Sequence, residues 1–231
     1  MIKFTNTNLS LSRNITSYSK IQWAMGQILR NKRWQTRTNR IKSLKYLNIG
    51  CGSNIHNNFI NLDYCWKPGI DLCWDLKKDL PFEDGSLEGI FSEHCLEHIF
   101  LQNTISLLTE FKRVLAAGGL VRISIPDGEL YLNIYAQRHQ KEDSANKPDK
   151  FPYEDTDKCK GIYSPIMSVN RIAKDHGHLY LYDYDLLQTI LTQVGFVDVT
   201  RTNFGQGHNQ NMLIDSEHRA IESLYIEAIS K

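Results

Sequence analysis

Hydrophobic residues follow two patterns along the chain: compact apolar runs, and apolar positions spaced three or four residues apart. The first helical spacing joins Ile21 to Leu29 and predicts an amphipathic helix. Helical spacing returns from about Glu93 and again through residues 105–115, where Gly118 and Gly119 are expected to cap the helix. Compact runs predict strands over residues 45–49, 59–63, 70–73, 87–91 and 120–125.

The C-terminal part of the chain continues this alternation. Asp183 is placed to cap a helix that Gly195 closes, and residues 196–201 and 223–229 predict two strands that could pair antiparallel. Residues 139–160 are charged and lack periodicity, which predicts a mobile insertion or lid. The pattern predicts an α/β fold: a Rossmann-like, doubly wound sheet, mostly parallel with a terminal antiparallel strand, behind an N-terminal helical extension.

Length and composition fit a single domain with reduced thiols. The chain has 231 residues, of which 41% are hydrophobic, and this is enough for a sizeable core. No apolar run approaches the roughly 18–20 residues that cross a bilayer. The odd number of cysteines, without a C-x-x-C pair, argues against a disulfide scaffold or cysteine-bound zinc and favours a cytoplasmic location. The five cysteines are Cys51, Cys65, Cys73, Cys95 and Cys159.

Charge is distributed unevenly, although the net charge is only +1. Residues 1–62 contain ten Lys or Arg and no acidic residue, whereas the remainder contains seventeen basic and twenty-six acidic side chains. Such a basic segment binds an anionic partner, either nucleic acid or a membrane surface, or it lies against the acidic body of its own chain. It is also typical of a mitochondrial transit peptide. Trp23 and Trp34 fit either a membrane interface or a lid over a cofactor.

A glycine turn between the first two predicted strands carries the clearest chemical signal. Gly50 and Gly52 let the backbone turn tightly and bring its N–H groups close to a ligand. Asp63 ends the next strand, where its carboxylate can accept hydrogen bonds from both hydroxyls of a ribose. Ile55 occupies the third glycine position of the dinucleotide fingerprint, and no phosphate-binding loop is present. The pattern therefore favours a nucleoside cofactor without a pyrophosphate.

Several motifs in order resemble class I S-adenosylmethionine-dependent methyltransferases, particularly the small bacterial type often found near cell-envelope sugar genes. The motifs are Leu-Asn-Ile-Gly-Cys-Gly at 47–52, Asn-Leu-Asp at 61–63, Asp-Leu at 75–76, Leu-Pro-Phe at 80–82, Glu-Gly-Ile-Phe-Ser-Glu-His-Cys-Leu-Glu-His-Ile at 88–99, Phe-Lys-Arg-Val-Leu at 111–115 and Gly-Gly-Leu-Val at 118–121. The resemblance implies S-adenosylmethionine as cofactor. It also implies a methyltransferase domain over residues 45–231, with a substrate-side insertion at about 132–180, after a basic helical extension over residues 1–44.

The resemblance assigns cofactor-binding residues by position. The glycine turn should line the methionine portion, Asp63 the ribose, Asp75 and Leu76 the adenine, and Glu93 and His94 the sulfonium. Without the flanking motifs, the two aspartates would be interpreted as turn or helix-cap carboxylates. The family usually has an acidic residue where this chain has Asn48, and a third glycine where it has Asn54. The full predicted set is Asn48, Gly50, Cys51, Gly52, Asp63, Tyr64, Asp75, Leu76, Glu93 and His94.

Methyltransferases that modify sugar hydroxyls are similar in the segment after the fourth strand. By that resemblance His98 is a candidate general base and Asp127 the acid that orients it, the alternative being that His98 packs on its own helix. His178 is a third catalytic candidate, because it alternates with Tyr180 and Tyr182 in a segment where such rings could stack on a sugar or buttress the sheet. The run His94-Cys95-Leu96-Glu97-His98 also fits an H-x-x-E-H zinc-protease motif. The sequence supplies no further ligand architecture for proteolysis, and no metal is expected.

The sequence therefore predicts O-methylation of a small or glycan-type acceptor. A second hypothesis is an RNA methyltransferase or RNA-binding protein guided by the basic N-terminal segment, although no base-flipping motif of the Asn-Pro-Pro-Tyr type follows the fourth strand. A third hypothesis is a non-catalytic scaffold that keeps the cofactor fold. Peripheral membrane contact stays open as a partner prediction, and the oligomeric state is not predicted.

Overall fold

The computed structural model describes residues 20–137 and 164–231. Within these residues, seven strands form one sheet in the order β3-β2-β1-β4-β5-β7-β6. Strands β1 to β5 are parallel, and β7 runs antiparallel to both β5 and β6. The predicted fold class is therefore confirmed. The strands are β1 (Tyr46–Ile49), β2 (Phe59–Asp63), β3 (Leu72–Cys73), β4 (Leu87–Glu93), β5 (Leu115–Pro126), β6 (Phe196–Thr202) and β7 (Ser223–Ser230).

Helices cover one face of the sheet. The Asp183 side chain caps α6 by accepting from the Leu186 N–H, and Gly195 ends that helix at φ 102°, as its sequence predicts. The apolar side chains of α3 and α6 meet the sheet in the main core. The helices are α1 (Lys20–Leu29), α2 (Asn39–Ser43), α3 (Leu101–Val114), α4 (Gly128–Ala136), α5 (Pro165–Lys174) and α6 (Tyr184–Val194). The core residues on α3 and α6 are Leu107, Leu108, Phe111, Leu187, Ile190 and Leu191.

Two local predictions are wrong. No helix begins at Glu93; β4 runs through that residue, His94 turns the chain at φ 45°, and a short 3-10 turn covers Leu96–His98. Helix α3 ends at Val114, and β5 starts at the next residue, so the glycine pair does not cap α3. Gly118, at φ 79°, lies instead in a bulge where the pairing of β5 with β4 shifts register.

The opposite face of the sheet is covered by the loop between β6 and β7. Side chains alternate across a sheet, so Phe91 and Leu120 point away from the helical face that Ile90 and Val121 occupy. Met212 of the β6–β7 loop is fully buried against this second face. Short links, residues 50–58 and 64–71, join β1 to β2 and β2 to β3 without a helix, which leaves room for that loop.

The described part of the basic N-terminal segment packs on the sheet domain. The Arg30 guanidinium lies 3.3 Å from the Tyr64 ring centroid and donates to the Tyr64 carbonyl. Arg40 pairs with Asp71 at 2.6 Å. Trp34 is 56% exposed. For these two arginines, the internal interpretation of the charge asymmetry applies.

The predicted domain limits stay predictions. Helix α5 and the end of α4 fall inside the predicted insertion at 132–180, while the predicted lid at 139–160 lies outside the described residues. Among the helices of residues 20–137 and 164–231, none has the length and apolar character needed to cross a membrane.

Candidate active site

The glycine turn lies at the C-terminal edge of the parallel strands, where ligands bind in open α/β sheets. Gly50 adopts φ 62°, and a Cβ there would lie 2.5 Å from the Cys95 sulfur. Glycine is therefore required at position 50, and the turn after β4 abuts the glycine turn directly. Gly52 adopts φ 53°, and its Cβ position meets no atom closer than a backbone oxygen at 3.9 Å. Bare backbone thus borders open space at this edge.

Asp63 is fixed beside that open space. One carboxylate oxygen accepts from the Gly52 N–H and the other from the Cys65 N–H, both at 2.9 Å. Because a carboxylate oxygen can accept more than one hydrogen bond, this arrangement remains compatible with ribose hydroxyls. The Cys51 N–H donates to Leu62, which joins the glycine turn to β2. An open backbone turn facing one carboxylate fits a nucleoside cofactor such as S-adenosylmethionine.

Other predicted cofactor residues have contacts of their own. The Asn48 amide is buried and donates to the Asn54 carbonyl, so it supports the turn from below. Glu93 accepts from the Ser216 N–H at 2.7 Å and the Ser216 hydroxyl at 2.6 Å. Asn54 also donates to Glu93 at 3.3 Å. Glu93 therefore fastens the β6–β7 loop to the glycine turn.

The adenine-side predictions lie farther along the edge. Tyr64 lies under the Arg30 guanidinium, at the contact with α1. Asp75 accepts from the Lys77 N–H at 3.1 Å. This contact matches the alternative interpretation of Asp75 as a turn carboxylate. Leu76 packs against the main core. The structure thus brings the glycine turn, Asp63 and Glu93 together, with Asp75 in a separate turn.

A polar cavity of about 220 Å³ opens beyond the C-terminal ends of β4 and β5. Its walls come from the turn after β4, from α4 and α5, and from the loops that precede α6 and β7. We call it the histidine cavity. Its lining residues are His94, Glu97, His98, Pro126, Tyr131, Arg171, Ile172, His176, His178, His218, Arg219 and Glu222.

Glu97 is the central group of the histidine cavity. It is only 2% exposed, and neither carboxylate oxygen has a hydrogen-bond partner among the described residues. Its Oε1 lies 3.5 Å from His94 Nδ1 and 3.9 Å from both His98 Nε2 and His178 Nε2. Burial raises the pKa of Glu97 from 4.5 to about 8.

Backbone hydrogen bonds bring His178 to this carboxyl group across eighty positions of sequence. The N–H groups of Leu179 and Tyr180 donate to the Glu97 carbonyl at 2.7 and 3.2 Å. His178 Nδ1 lies 2.6 Å from the Ile172 carbonyl, which can only accept, so Nδ1 carries the proton. The unprotonated Nε2 of His178 therefore faces Glu97.

Three imidazoles of the cavity, those of His94, His98 and His178, have lowered pKa values. Burial, and then Arg219 and nearby histidines, lowers the pKa of His94 to about 2. Burial, and then His178, lowers the pKa of His98 to about 4. Burial also lowers the pKa of His178. Three neutral rings and one buried carboxyl group can accept a proton or bind a cation.

Asp127, Tyr180 and Tyr182 do not belong to this cluster. The Asp127 carboxylate accepts from the Leu130 N–H at the start of α4 and pairs with Arg201 at 2.7 Å. Tyr182 is buried and its hydroxyl donates to Thr104, so its ring buttresses the core. Tyr180 packs 5.2 Å from it, centroid to centroid. The group beside His98 is Glu97, which sequence reasoning passed over although it stands inside the H-x-x-E-H motif.

Comparisons with known proteins show which families and solved structures this chain is similar to. Residues 51–123 match the family described as a methyltransferase domain. A crystal structure of a SAM-dependent methyltransferase from Thermotoga maritima, described as a possible histamine N-methyltransferase, matches with a TM-score of 0.51 and 14% identity, covering 96% of this chain and 99% of that one. At that identity, the structural similarity shows the fold alone. No curated protein sequence matches the chain.

Two further structures are similar at lower scores. A SAM-dependent methyltransferase from Archaeoglobus fulgidus matches with a TM-score of 0.49 and 17% identity, covering 85% of this chain and 92% of that one. Phosphoethanolamine N-methyltransferase 2 from Haemonchus contortus matches with a TM-score of 0.45 and 14% identity, covering 90% of this chain and 52% of that one.

Proposed function

We propose that this chain, a class I S-adenosylmethionine-dependent methyltransferase as its sequence predicts, methylates a hydroxyl group of a small or glycan-type acceptor held in the histidine cavity. When bound, the cofactor supplies an activated methyl group. The observation that carries the proposal is the cluster of Glu97 and three neutral imidazoles at the end of β4. Such groups are needed for a hydroxyl acceptor, which must lose its proton during transfer.

The position of the histidine cavity supports this assignment. Its wall includes His94 and His98, and the intervening Cys95 touches Gly50 of the glycine turn. An acceptor in the cavity would therefore lie next to the predicted methionine end of the cofactor. Holding both reactants side by side and excluding water accounts for much of the catalysis of an in-line displacement.

The size and lining of the cavity support a small, hydroxyl-rich acceptor. Its volume of about 220 Å³ is below the roughly 300–1,000 Å³ of pockets for drug-sized ligands. Arg171, Arg219 and Glu222 line it together with the histidines, so donors and acceptors face the interior on several sides. A single sugar residue or a similar polyol suits such a surface.

Proton transfer within the cavity involves a neutral imidazole. Because the pKa of His98 is lowered to about 4, its ring is unprotonated at neutral pH and can accept the proton of a hydroxyl. Glu97 lies beside it, with Oε1 3.9 Å from His98 Nε2. We assign the orienting role to Glu97 and not to Asp127, whose carboxylate pairs with Arg201.

The RNA hypothesis receives less support from the described residues. Arg30 and Arg40 of the basic segment bind Tyr64 and Asp71 of the same chain. The scaffold hypothesis predicts cofactor binding without turnover, and the methyl-transfer assay described next tests it.

Methyl-labelled S-adenosylmethionine tests the proposal directly. The full chain is incubated with parallel panels of monosaccharides and sugar alcohols, simple amines, and RNA. We expect label in a base-stable methyl ether on a hydroxyl acceptor. His98→Asn should reduce the rate at least about 100-fold, which is the lower range for loss of a proton-transfer group. His208→Asn removes a histidine that also contacts a buried glutamate, outside the cavity, and should keep the activity.

Label in RNA or in an amine would contradict the acceptor class, and cofactor binding without any transfer would favour the scaffold. A His98→Asn enzyme with unchanged turnover would remove that side chain from the reaction.

A further inference from the structure

We propose that Glu97, His98 and His178 form a binding site for a divalent transition-metal ion in the wall of the histidine cavity. One ligand atom from each residue lies within 4.8 Å of the other two. Glu97 Oε1 lies 3.9 Å from each of the two imidazole Nε2 atoms. The His98 and His178 rings meet edge to face, with centroids 4.9 Å apart, so the two nitrogens can converge without a clash between the rings.

The tautomers of the neighbouring histidines make this cluster unfavourable without a cation. The Ser223 hydroxyl donates its proton to the Arg219 carbonyl, so it must accept from His94 Nε2, 2.8 Å away. His94 Nδ1 therefore presents a lone pair to Glu97 Oε1 at 3.5 Å. His178 Nε2 presents a second lone pair to the same oxygen at 3.9 Å. The hydrogen-bond acceptors of His94, His178 and Glu97 therefore face one another in a buried space.

A single proton cannot satisfy this arrangement, whereas a divalent ion can. Protonated Glu97 donates one hydrogen bond, which leaves the remaining lone pairs opposed. An ion between Glu97 Oε1 and the Nε2 atoms of His98 and His178 would bind one lone pair of each of these three residues at once. The carboxylate is more than nine-tenths buried, and neither oxygen is hydrogen-bonded within the described residues, so both oxygens are available to an ion.

The ligand set fits a zinc-like ion. Two imidazoles and one carboxylate, with a further position open, are typical of catalytic zinc sites, and imidazole also suits other late first-row metals. With bonds of about 2.0–2.1 Å, tetrahedral ligands lie roughly 3.3 Å apart, so modest side-chain rotations would close the observed spacing. The Ile172 carbonyl holds the outer nitrogen of His178, as is usual for a metal-binding histidine. All three proposed ligand residues line the histidine cavity.

The proposed site departs from the sequence-based expectation of no metal. The H-x-x-E-H motif pairs His94 with His98, whereas the structure pairs His98 with His178 from a distant segment. Its role in methyl transfer rests on the proposed function. With the metal bound, His98 is a ligand and no longer the proton acceptor. An acceptor hydroxyl bound at the open position would lose its proton more readily, with the O–H electron pair remaining on oxygen and the proton passing to solvent.

Metal titration of tag-free, chelator-treated full-length protein tests the inference. We expect one Zn²⁺ per chain by calorimetry, and visible absorption bands when Co²⁺ replaces it. Glu97→Gln and His178→Ala should each weaken binding at least about 100-fold, beyond the usual effect of losing an outer-shell partner. His208→Ala, which removes a histidine from a different buried glutamate, should bind as the wild type does.

Absence of saturable Zn²⁺ and Co²⁺ binding by the wild type would overturn the site without any variant. An equal loss in His208→Ala would also overturn it, because binding would then be nonspecific. Circular dichroism identifies a variant that fails to fold. If Glu97→Gln is unfolded, the test rests on His178→Ala, whose side chain is nearer to solvent. Metal binding without hydroxyl methylation would refute only the proposed acceptor. Methylation that survives chelation, in a protein that binds no metal, would refute only this inference.

Discussion

Within the described residues, a buried cluster of ionisable side chains on the sheet and another at its C-terminal edge differ in how completely their hydrogen bonds are satisfied. Arg122 is fully buried and forms paired hydrogen bonds with Asp215 at 2.9 and 2.6 Å, and a third with Glu227 at 2.8 Å. Its remaining hydrogen bonds are with Thr202, Asn203 and Gln206. Glu97 is equally buried, but neither of its oxygens has a hydrogen bond within the described residues.

The difference separates a cluster that maintains the fold from one that is available for chemistry. Arg122 joins β5 to the β6–β7 loop and so holds that loop over the face of the sheet opposite α3 and α6. Glu97 lowers the stability of the fold, because its buried carboxyl group loses its hydrogen bonds to water and gains none from the described residues. A fold keeps such a group where a ligand or a proton transfer uses it.

The largest expected effect is on stability, from breaking the satisfied cluster. Arg122→Met leaves Asp215 and Glu227 buried without their cation, and it should lower the free energy of unfolding by about 3–5 kcal/mol. Urea denaturation measures this loss. Arg40→Ala removes a half-exposed ion pair with Asp71 and serves as control, with an expected loss of about 0–1 kcal/mol. Equal losses in the two variants would show that the Arg122 cluster does not hold the loop.

A smaller effect comes from the pH dependence of the unsatisfied cluster in metal-free protein. Glu97 titrates near 4.5 when unfolded and near 8 when folded, so the folded state holds its proton while the unfolded state loses it. Stability from this group is therefore complete below about pH 4.5 and falls as pH rises towards 8. The lowered pKa values of His94, His98 and His178 act in the opposite direction wherever the unfolded imidazoles, whose pKa is 6.5, are still protonated, which includes part of the range above pH 6.5.

Comparing the urea denaturation of the wild type and Glu97→Gln between pH 6.5 and 8 isolates Glu97, because both proteins contain the same histidines. Relative to Glu97→Gln, the wild type should lose on the order of 1–2 kcal/mol over this range, at about 1.4 kcal/mol per pH unit. The reason is that Glu97→Gln has no proton to lose there. Parallel profiles for the two proteins would mean that Glu97 is already ionised at neutral pH.

The sequence predicted the parts of this molecule that follow from local pattern. The apolar runs identified the strands of the sheet, and the spacing from Gly50 to Asp63 identified the turn and carboxylate at its edge. Those features depend on neighbours in sequence, which periodicity and glycine positions report. The glycines at 118 and 119 misled the prediction because a bulge and a helix cap both use positive φ.

The histidine cavity depends on contacts that no local pattern reports. His178 reaches Glu97 because backbone N–H groups of the following residues bind the Glu97 carbonyl. The positive φ of His94 replaces the predicted helix with a turn, which changes the residues that share a face with His98. Asp127 is directed to Arg201 on β6, a pairing set by the antiparallel end of the sheet.

The most direct test of the account compares one glutamate from each cluster. Glu97→Gln and Glu227→Gln are assayed side by side for urea stability, cofactor binding, and methyl transfer to the monosaccharide panel. We predict that Glu97→Gln keeps its stability and cofactor affinity at pH 7 but loses at least about 100-fold in turnover. Glu227→Gln should lose stability and keep turnover per folded molecule. Full turnover by a folded Glu97→Gln enzyme would contradict the assignment of the histidine cavity as the acceptor site.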